Sequence, residues 1–336
     1  MKELHAAVIG CGLISKNHLK ALKNVKQARC AAVCDIEREK AEKAAEQYGI
    51  AKIHTDYHEM LADADIDVVH ICTPHFLHAQ MAVDALRAGK HVLCEKPMAL
   101  SEEDAKAMIA ARDEAGKQLG VCFQNRYNEA SVYMKALLES GRLGKVLGAR
   151  GQVTWNRKPE YYTQSPWRGR WATEGGGVLI NQAIHTFDLL QWLTVPVKTV
   201  EAQISTMRLK GTIEVEDTAD ILMTGPEGER LLFYASNCYV KNAPVELEIV
   251  CEQGSVKMTG NVVVTEENGQ ITTKDYSSGT VLGKDYWGSG HGFLIDDFYR
   301  CIRSGEKFPV GGEEAIVSVR LLEAVYRSAK EKGGSI

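Results

Sequence analysis

The sequence lacks several features that would place the chain in a specialised class of protein. No apolar run is long enough to cross a bilayer, because charged residues or glycine interrupt the longest ones. The formal net charge of −4 gives no sign of a nucleic-acid footprint. The N-terminus leads directly from Met1 into an apolar strand, without the long apolar segment and cleavage site of a secretory signal. We therefore expect a cytoplasmic protein with no membrane or nucleic-acid partner.

Motifs for metal binding and thiol redox chemistry are also missing. None of the nine cysteines forms a CxxC pair, so neither a zinc ribbon nor a thioredoxin-type site is indicated. His54 with His58, and His75 with His78, have ligand-like spacing, but no acidic or cysteine cluster accompanies either pair. We therefore expect reduced, buried thiols and no metal. The sequence also shows no internal repeat and no low-complexity segment.

A chain of 336 residues is too long for one typical core, so two domains are expected. In the first, predicted for residues 1–123, apolar runs alternate with helical patterns. The apolar runs are residues 4–10, 28–35, 67–72, 91–94 and 119–123, and helical patterns run to about residue 24 and over 37–48, 76–88 and 101–115. This alternation predicts a parallel sheet covered on both faces, which binds ligands beyond the carboxyl ends of its strands.

Residues 124–336 have a different pattern. Strands, several of them alternating polar with apolar residues, are expected at 145–156, 199–209, 218–223, 230–236, 245–251 and 262–266, and helices at about 130–140, 178–193 and 313–332. The predicted fold class is α/β: an N-terminal Rossmann-type parallel sheet, then an α+β domain with a large, mostly antiparallel open sheet. We expect this second domain to serve substrate binding and oligomerisation. The last helix, at about 313–332, could pack back on the first domain.

A glycine-rich turn follows the first predicted strand and opens the first helix. Gly10-Cys11-Gly12-Leu13-Ile14-Ser15 matches GxGxxG except at its last residue, where serine is small enough for helix–strand packing. The first glycine permits the tight turn, and the second lets the backbone approach a pyrophosphate. The helix N-terminus then attracts the phosphates. The turn therefore predicts a dinucleotide site that includes Gly10, Gly12, Leu13 and Ile14.

The residue that ends the second strand indicates which dinucleotide binds. Asp35 can hydrogen-bond the ribose hydroxyls of NAD and would repel the 2′-phosphate of NADP. Ile36 follows it, where NADP enzymes often have Ser, Thr or Arg, although Arg38 lies close by. We expect NAD as the cofactor, with NADP the less favoured choice. A nucleotide-free turn, with Asp35 capping a helix, is the alternative interpretation.

Polar residues also follow two later strands of the predicted sheet. Thr73-Pro74 comes after one strand and Glu95-Lys96-Pro97 after the next. Topology alone places Lys96 near the nicotinamide half of a cofactor. Out of this context, a lysine before a proline is usually a solvated loop charge.

Taken together with His78, the glycine turn and Asp35, these residues resemble the Gfo/Idh/MocA family of glucose–fructose oxidoreductases and inositol dehydrogenases, and the resemblance covers almost the whole chain. It implies that the ammonium group of Lys96 hydrogen-bonds the reacting hydroxyl and that the peptide bond before Pro97 is a candidate for the cis form. It also implies that the cofactor is surrounded by Thr73, Pro74, His78 and Glu95.

A second signature lies in the predicted second domain, where three glycines at 175–177 enter a helix. Asn181 and His185 are four residues apart and so project from one helical face. A lone helical histidine is more often structural, but the family resemblance implies that His185 is the general base. The resemblance also exposes a departure, because sugar and cyclitol dehydrogenases often have aspartate at position 181. Asparagine cannot act as a base, although it can orient a substrate hydroxyl.

An aromatic-rich loop precedes these glycines and includes Trp167 and Arg168. Aromatic faces suit sugar rings, and Arg168 could bind hydroxyls or a carboxylate; packing of a long loop is the alternative. Arg126 and Tyr127 follow the last strand of the first domain and are also expected to bind substrate. Tyr286 and His291 are weaker candidates for substrate binding.

The sequence thus predicts an NAD(H)-dependent oxidoreductase that reversibly oxidises a secondary alcohol of a sugar, cyclitol or sugar derivative, with Lys96 and His185 at the reacting hydroxyl. Two alternatives remain. One is a redox-neutral glycosidase or epimerase that retains NAD through each turnover, and the other is a non-catalytic NAD(H) sensor. The family resemblance also implies a homodimer or homotetramer.

Overall fold

The computed structural model describes residues 3–26, 28–277 and 290–331. The chain divides into two compact units, of which the first comprises Met1–Gln124 with His291–Val319 and the second Asn125–Gly290 with Arg320–Ile336. Tyr286, a weaker site candidate, lies outside the described residues. The helices are α1 Ser15–Leu22, α2 Arg38–Tyr48, α3 Tyr57–Leu61, α4 His78–Arg87, α5 Glu102–Ala115, α6 Glu129–Glu139, α7 Pro159–Thr163, α8 Ile184–Leu193, α9 Gly290–Ser304 and α10 Gly312–Glu331.

The first unit contains a sheet of six parallel strands in the order β3-β2-β1-β4-β5-β6. Its strands are β1 Leu4–Ile9, β2 Ala28–Cys34, β3 Lys52–His54, β4 Val68–Ile71, β5 His91–Cys94 and β6 Leu119–Val121. The order reverses direction between β1 and β4, and a crevice for ligands opens beyond the carboxyl ends of strands at such a point. The Rossmann-type parallel sheet predicted from the sequence is therefore confirmed.

Burial and capping explain why these elements form where they do. All four residues of β4 are buried, as expected for a central parallel strand covered on both faces. The hydroxyl of Ser101 accepts a hydrogen bond from the Asp104 backbone N–H at 3.1 Å and so caps the start of α5. Gly116 ends that helix in the left-handed conformation.

The second unit contains an eight-stranded sheet in the order β14-β13-β12-β11-β7-β10-β9-β8, in which β7 and β10 form the one parallel pair among the described strands. The strands are β7 Val146–Thr154, β8 Thr199–Ser205, β9 Thr218–Thr224, β10 Arg230–Ser236, β11 Glu246–Cys251, β12 Gly254–Thr259, β13 Val262–Glu267 and β14 Gln270–Asp275. Phe233 of β10 packs edge-on against Phe187 of α8, with ring centroids 5.0 Å apart. The predicted large, mostly antiparallel sheet is confirmed.

Several elements, most of them short, were not predicted from the sequence. They are β3, β12, β14, α3, α7 and α9. The helix expected at 178–193 is also different, because Leu179–Ala183 forms a π-helical turn and the α-helix begins at Ile184. The backbone N–H of Ala183 reaches the carbonyl of Val178 at 2.8 Å, which is the wider spacing of a π turn. Within the ranges that the structure describes, no helix has the length and apolar character to span a bilayer.

Candidate functional site

The glycine turn after β1 has one glycine that the fold requires and one that it does not. Gly10 has a φ of +87°, and a Cβ there would lie 2.7 Å from the Cys72 carbonyl oxygen, so only glycine fits. At Gly12, by contrast, a Cβ would meet no atom within 4 Å among the described residues. The space over Gly12 is therefore open, as a close-approaching pyrophosphate needs. Ser15, in the third glycine's place, closes the turn by donating its hydroxyl to the Gly12 carbonyl at 2.7 Å.

The start of α1 suits the phosphates of a dinucleotide. Its first turn holds no acidic residue, so the unpaired backbone N–H groups and the positive end of the helix dipole meet no carboxylate in that turn. Leu13 in the preceding turn leaves 72% of its surface exposed, and Ile36 after β2 leaves 87% exposed. Two large apolar side chains so exposed are available to cover a ligand.

Asp35 is fastened to the glycine turn by its carboxylate. One carboxylate oxygen accepts the backbone N–H of Cys11 at 2.8 Å, and the other accepts that of Glu37 at 2.9 Å. A carboxylate offers about four lone-pair positions, so these two bonds leave capacity for the hydroxyls of a ribose. Gly12, the start of α1 and Asp35 together fit the diphosphate and ribose of NAD.

The carboxyl ends of β4 and β5 are joined through one buried imidazole. Nδ1 of His78 lies 2.7 Å from the carbonyl oxygen of Pro97, and Nε2 lies 2.9 Å from that of Thr73. Burial lowers the pKa of His78. His78 therefore positions backbone on two strands, while contact between its side chain and a cofactor stays a prediction. Pro74 begins a single 3₁₀ turn, at His75–Leu77, that leads into α4.

The Lys96–Pro97 peptide bond is cis, as the family resemblance implied. Lys96 comes two residues after the end of β5, next to Glu95. Glu95 is buried, with 4% of its surface exposed. The backbone N–H of Lys96 donates to Glu95 Oε2 at 3.2 Å. The predicted cofactor residues of the first unit thus gather at the ends of β1, β2, β4 and β5.

In the second unit, the glycine loop before the π turn is built on a buried acid that sequence reasoning missed. The carboxylate of Glu216 accepts the backbone N–H groups of Gly177 and Leu179 at 2.9 and 3.0 Å. The hydroxyl of Tyr326 donates to it at 3.1 Å. Burial raises the pKa of Glu216 to about 7, against these hydrogen bonds, which lower it.

Asn181 lies in the π turn and His185 in the first turn of α8. The side-chain amide of Asn181 donates to Oε1 of Glu174 at 2.5 Å, and Glu174 is completely buried. The hydroxyl oxygen of Tyr161 lies 3.4 Å from the same amide nitrogen. Glu174 is a second acid that the sequence analysis did not single out. A lone glutamate before a glycine run gives no sequence signal of its own.

Arg126 and Tyr127, both predicted to bind substrate, lie on a 3₁₀ turn. Nε and Nη2 of Arg126 donate to the two carboxylate oxygens of Asp188 on α8, at 2.8 and 2.7 Å. Both side chains of this pair are nearly completely buried. Arg126 thereby fixes the turn to the helix that holds His185, and a direct contact of Arg126 with substrate stays a prediction. Tyr127 is partly buried.

The aromatic loop separates into packing residues and partly exposed ones. Trp155 and Tyr162 are buried, and their polar atoms bond Ala243 and Asn237. Trp167 and Arg168 remain partly exposed. The guanidinium of Arg168 lies 4.2 Å from the ring centroid of Tyr161 and 5.2 Å from that of Trp167. Its Nε has no hydrogen-bond partner among the residues that the structure describes.

Comparison with known proteins gives matches along both units. The model of an oxidoreductase family with an NAD-binding Rossmann fold, GFO_IDH_MocA, matches residues 4–123, and the GFO/IDH/MocA C-terminal domain matches residues 131–257. The crystal structure of the WlbA dehydrogenase from Bordetella pertussis in complex with NADH and UDP-GlcNAcA is similar, with 32% identity, 98% coverage of each chain and a TM-score of 0.86.

Two curated enzymes are also similar to the chain. D-apiose dehydrogenase from Paraburkholderia graminis is 27% identical over 98% of this chain and 89% of that enzyme. Inositol 2-dehydrogenase from Salmonella typhimurium is 33% identical, and the match spans 65% of each chain. The chain therefore belongs to the Gfo/Idh/MocA oxidoreductase family, in which the first domain is an NAD-binding Rossmann fold.

Proposed function

We propose that the protein is an NAD(H)-dependent dehydrogenase that reversibly oxidises a secondary alcohol of a sugar, cyclitol or sugar derivative. The observation that supports it most directly is the open space over Gly12, next to the Asp35 carboxylate that accepts the Cys11 backbone N–H. Lys96 follows β5 of the same sheet. A turn that leaves room for a pyrophosphate, with a cationic side chain after another strand of the same parallel sheet, is what a nicotinamide enzyme requires. The names of the relatives, which are inositol and apiose dehydrogenases, support the substrate class.

NAD supplies the hydride acceptor, and the chain supplies binding, orientation and charge. Lys96 donates a hydrogen bond from its ammonium group to the reacting hydroxyl and stabilises the alkoxide that develops as the hydride leaves. His185 accepts the hydroxyl proton at a ring nitrogen and returns it in the reverse direction. That Lys96 and His185 meet at one hydroxyl remains part of this proposal.

Asn181 orients a substrate hydroxyl in this scheme, and Glu174 decides which end of the amide is offered. An ionised carboxylate only accepts hydrogen bonds, so the amide nitrogen of Asn181 must face Glu174. Glu174 also places a second carboxyl group against position 181, where sugar dehydrogenases of the family often have aspartate.

Arg168 favours substrates with an anionic group. Its guanidinium lies over Tyr161 with Nε unpartnered among the described residues, and a planar fork of donors suits a carboxylate or phosphate. The WlbA dehydrogenase structure, similar over 98% of this chain, holds the nucleotide sugar UDP-GlcNAcA. We therefore include acidic sugars and nucleotide sugars among the candidate substrates.

The test is a panel of inositols, hexoses, pentoses, uronic acids and nucleotide sugars, with NADH formation followed by absorbance and NADP⁺ as the control cofactor. We expect turnover with NAD⁺ on at least one substrate, and loss of turnover with retained NAD binding in Lys96→Ala and His185→Ala. Lys106→Ala, which removes an exposed lysine of α5, serves as the matched control. Normal turnover in either active-site variant would refute the assigned roles. Tightly bound NAD with no net release of NADH would instead indicate a redox-neutral enzyme.

We further propose that the exposed face of the second unit's sheet binds a second copy of the chain. Leu147, Leu232 and Val250 lie on the neighbouring strands β7, β10 and β11 and are each more than two-fifths exposed, at 54, 52 and 43%. Exposed apolar side chains grouped on one sheet are typical of an interface. Light scattering should therefore give a dimer or tetramer, and Leu232→Lys should lower that mass, whereas a monomeric parent protein would exclude this surface.

A further inference from the structure

Behind Lys96, four polar side chains form a continuous buried chain of hydrogen bonds in the first unit. The hydroxyl of Tyr299 on α9 lies 2.9 Å from Nε2 of His70 on β4. Nδ1 of His70 lies 2.8 Å from Nδ1 of His18 on α1, and Nε2 of His18 lies 3.0 Å from Oε1 of Glu95. Tyr299, His70 and His18 have no exposed surface, and Glu95 is 4% exposed. No sequence pattern indicated these hydrogen bonds, because the four residues are far apart along the chain and lie on α1, on β4, on α9 and directly after β5.

The donors and acceptors in this chain can be assigned without knowing any hydrogen position. Burial on its own would raise the pKa of the Glu95 carboxyl, but the imidazoles of His18 and His291 hold that pKa well below its ordinary value, so Glu95 is an acceptor. Nε2 of His18 therefore carries a hydrogen. Only one of the two facing Nδ1 atoms can carry one, because two hydrogens would collide and two lone pairs would repel.

Tyr299 decides which of the two Nδ1 atoms is the donor. Burial raises the pKa of Tyr299 well above its ordinary value, so its hydroxyl keeps the proton. Among the residues that the structure describes, His70 Nε2 is the one acceptor within reach of that proton. His70 therefore accepts at Nε2 and donates from Nδ1, and His18 accepts at Nδ1 and donates from Nε2 to Glu95. Within these four side chains, each N–H and O–H hydrogen then has an acceptor.

We propose that Tyr299, His70 and His18 form a relay of positioning residues that holds the Glu95 carboxylate in place behind Lys96. This inference rests on the proposed function of Lys96. The second oxygen of Glu95 accepts the Lys96 backbone N–H at 3.2 Å, so the relay ends on the main chain of the proposed catalytic lysine. Residues that pack around a catalytic side chain keep it in its productive geometry, and a small displacement of that side chain lowers the reaction rate.

The same atoms raise a competing interpretation. His18 Nε2, Glu95 Oε1 and Cys122 Sγ lie within 4.8 Å of one another, so they could hold a metal ion. Nε2 of His18 nearly touches the carboxylate, however, and burial raises the pKa of the Cys122 thiol well above its ordinary value. A metal on Nε2 would also move the His18 hydrogen to Nδ1 and leave the Tyr299 proton without an acceptor. The hydrogen-bonded relay is the arrangement that satisfies all the groups.

The first experiment reads the tautomers and does not depend on catalysis. We expect ¹⁵N spectra of the histidine-labelled protein, assigned with His70→Gln and His18→Gln, to show His18 protonated at Nε2 and His70 protonated at Nδ1. The opposite tautomer of His70, or stoichiometric zinc in the purified protein, would overturn the relay. Because no turnover is measured, this result stands apart from the proposed function.

The second experiment compares two substitutions of His18. Glutamine offers an amide donor to Glu95 and a carbonyl acceptor to His70, whereas leucine offers neither. We expect His18→Leu to lower kcat about tenfold or more with little change in the KM for NAD, and His18→Gln to keep most of kcat. Glu95→Gln should behave like the leucine variant. Equal loss in the two folded His18 variants, or normal kcat in His18→Leu, would refute the positioning role, whereas an unaffected Lys96→Ala would refute the proposed function instead.

Discussion

The side-chain amide of Asn181 donates to the completely buried carboxylate of Glu174 over 2.5 Å. The amide and the acid form one polar unit at the start of the helix that holds His185. A second carboxylate at position 181 would face the first with no room between them, so one of the two would have to bind a proton. The unit therefore allows an amide at one position and an acid at the other, in either order.

This pairing predicts a charge swap. Asn181→Asp should lower the free energy of unfolding by roughly 3 kcal/mol near neutral pH, because it places a partly buried carboxylate against the completely buried one of Glu174. The double variant Asn181→Asp with Glu174→Gln should recover most of that loss and some of kcat. Chemical denaturation and steady-state kinetics of the two single variants and the double variant give the coupling energy between positions 181 and 174. If the two substitutions simply add, the amide and the acid do not act as a unit.

A second prediction concerns the buried pair between Arg126 and Asp188. Arg126→Met removes the charged partner of the buried Asp188 carboxylate, so we expect a loss of roughly 3–5 kcal/mol in the free energy of unfolding. Arg126→Met with Asp188→Leu removes both charges and should be more stable than either single variant. Arg142→Met is the matched control, since Arg142 forms an exposed pair with Glu267 and should change stability little. A small loss in Arg126→Met would show that the pair is better solvated than its burial indicates.

How much could be predicted from the sequence differs between the two units. The glycine turn, Asp35 and Lys96 were predictable because each follows an apolar run, and parallel strands bring their carboxyl ends to one edge. The short strand β3 and the fully exposed strand β14 were missed, since neither shows a buried alternation that sequence patterns can detect. The π turn was missed because its wider hydrogen bonds leave no periodic signature over five residues.

The hydrogen bonds of Glu216 in the second unit and of Glu95 in the first were beyond sequence reasoning for a different physical reason. Glu216 lies 39 residues from the Gly177 N–H that it accepts, and His18 lies 77 residues from Glu95. Such pairs become neighbours only after the chain has folded. Arg126 shows the converse, because a side chain that looked available for substrate is taken up by Asp188.

A third prediction separates the two glycines of the cofactor turn. Gly10→Ala should destabilise the unliganded protein, because its Cβ would meet the Cys72 carbonyl at 2.7 Å and its φ is +87°. Gly12→Ala should leave the unliganded protein nearly as stable as the parent but weaken NAD binding about tenfold or more, since the methyl group would fill the space for the pyrophosphate. Thermal unfolding with and without NAD measures both effects. An unchanged NAD affinity in Gly12→Ala would show that the pyrophosphate does not bind at this turn.

A fourth prediction concerns pH and the buried acid under the glycine loop. Burial raises the pKa of Glu216 from its ordinary 4.5 to about 7, so the folded protein binds a proton that the unfolded chain releases. The resulting stability is fully present below pH 4.5 and is lost as the pH rises through 7. For this one group the loss is about 3 kcal/mol.

Urea denaturation at several pH values between 4.5 and 7 measures this loss, with Glu216→Gln as the comparison. Glutamine is neutral throughout, so the variant should show a flatter dependence of stability on pH than the parent. The difference in slope between the parent and the variant, rather than either absolute stability, isolates the proton on Glu216. Parallel curves would mean that Glu216 is ionised in the folded state, held by the N–H groups of Gly177 and Leu179.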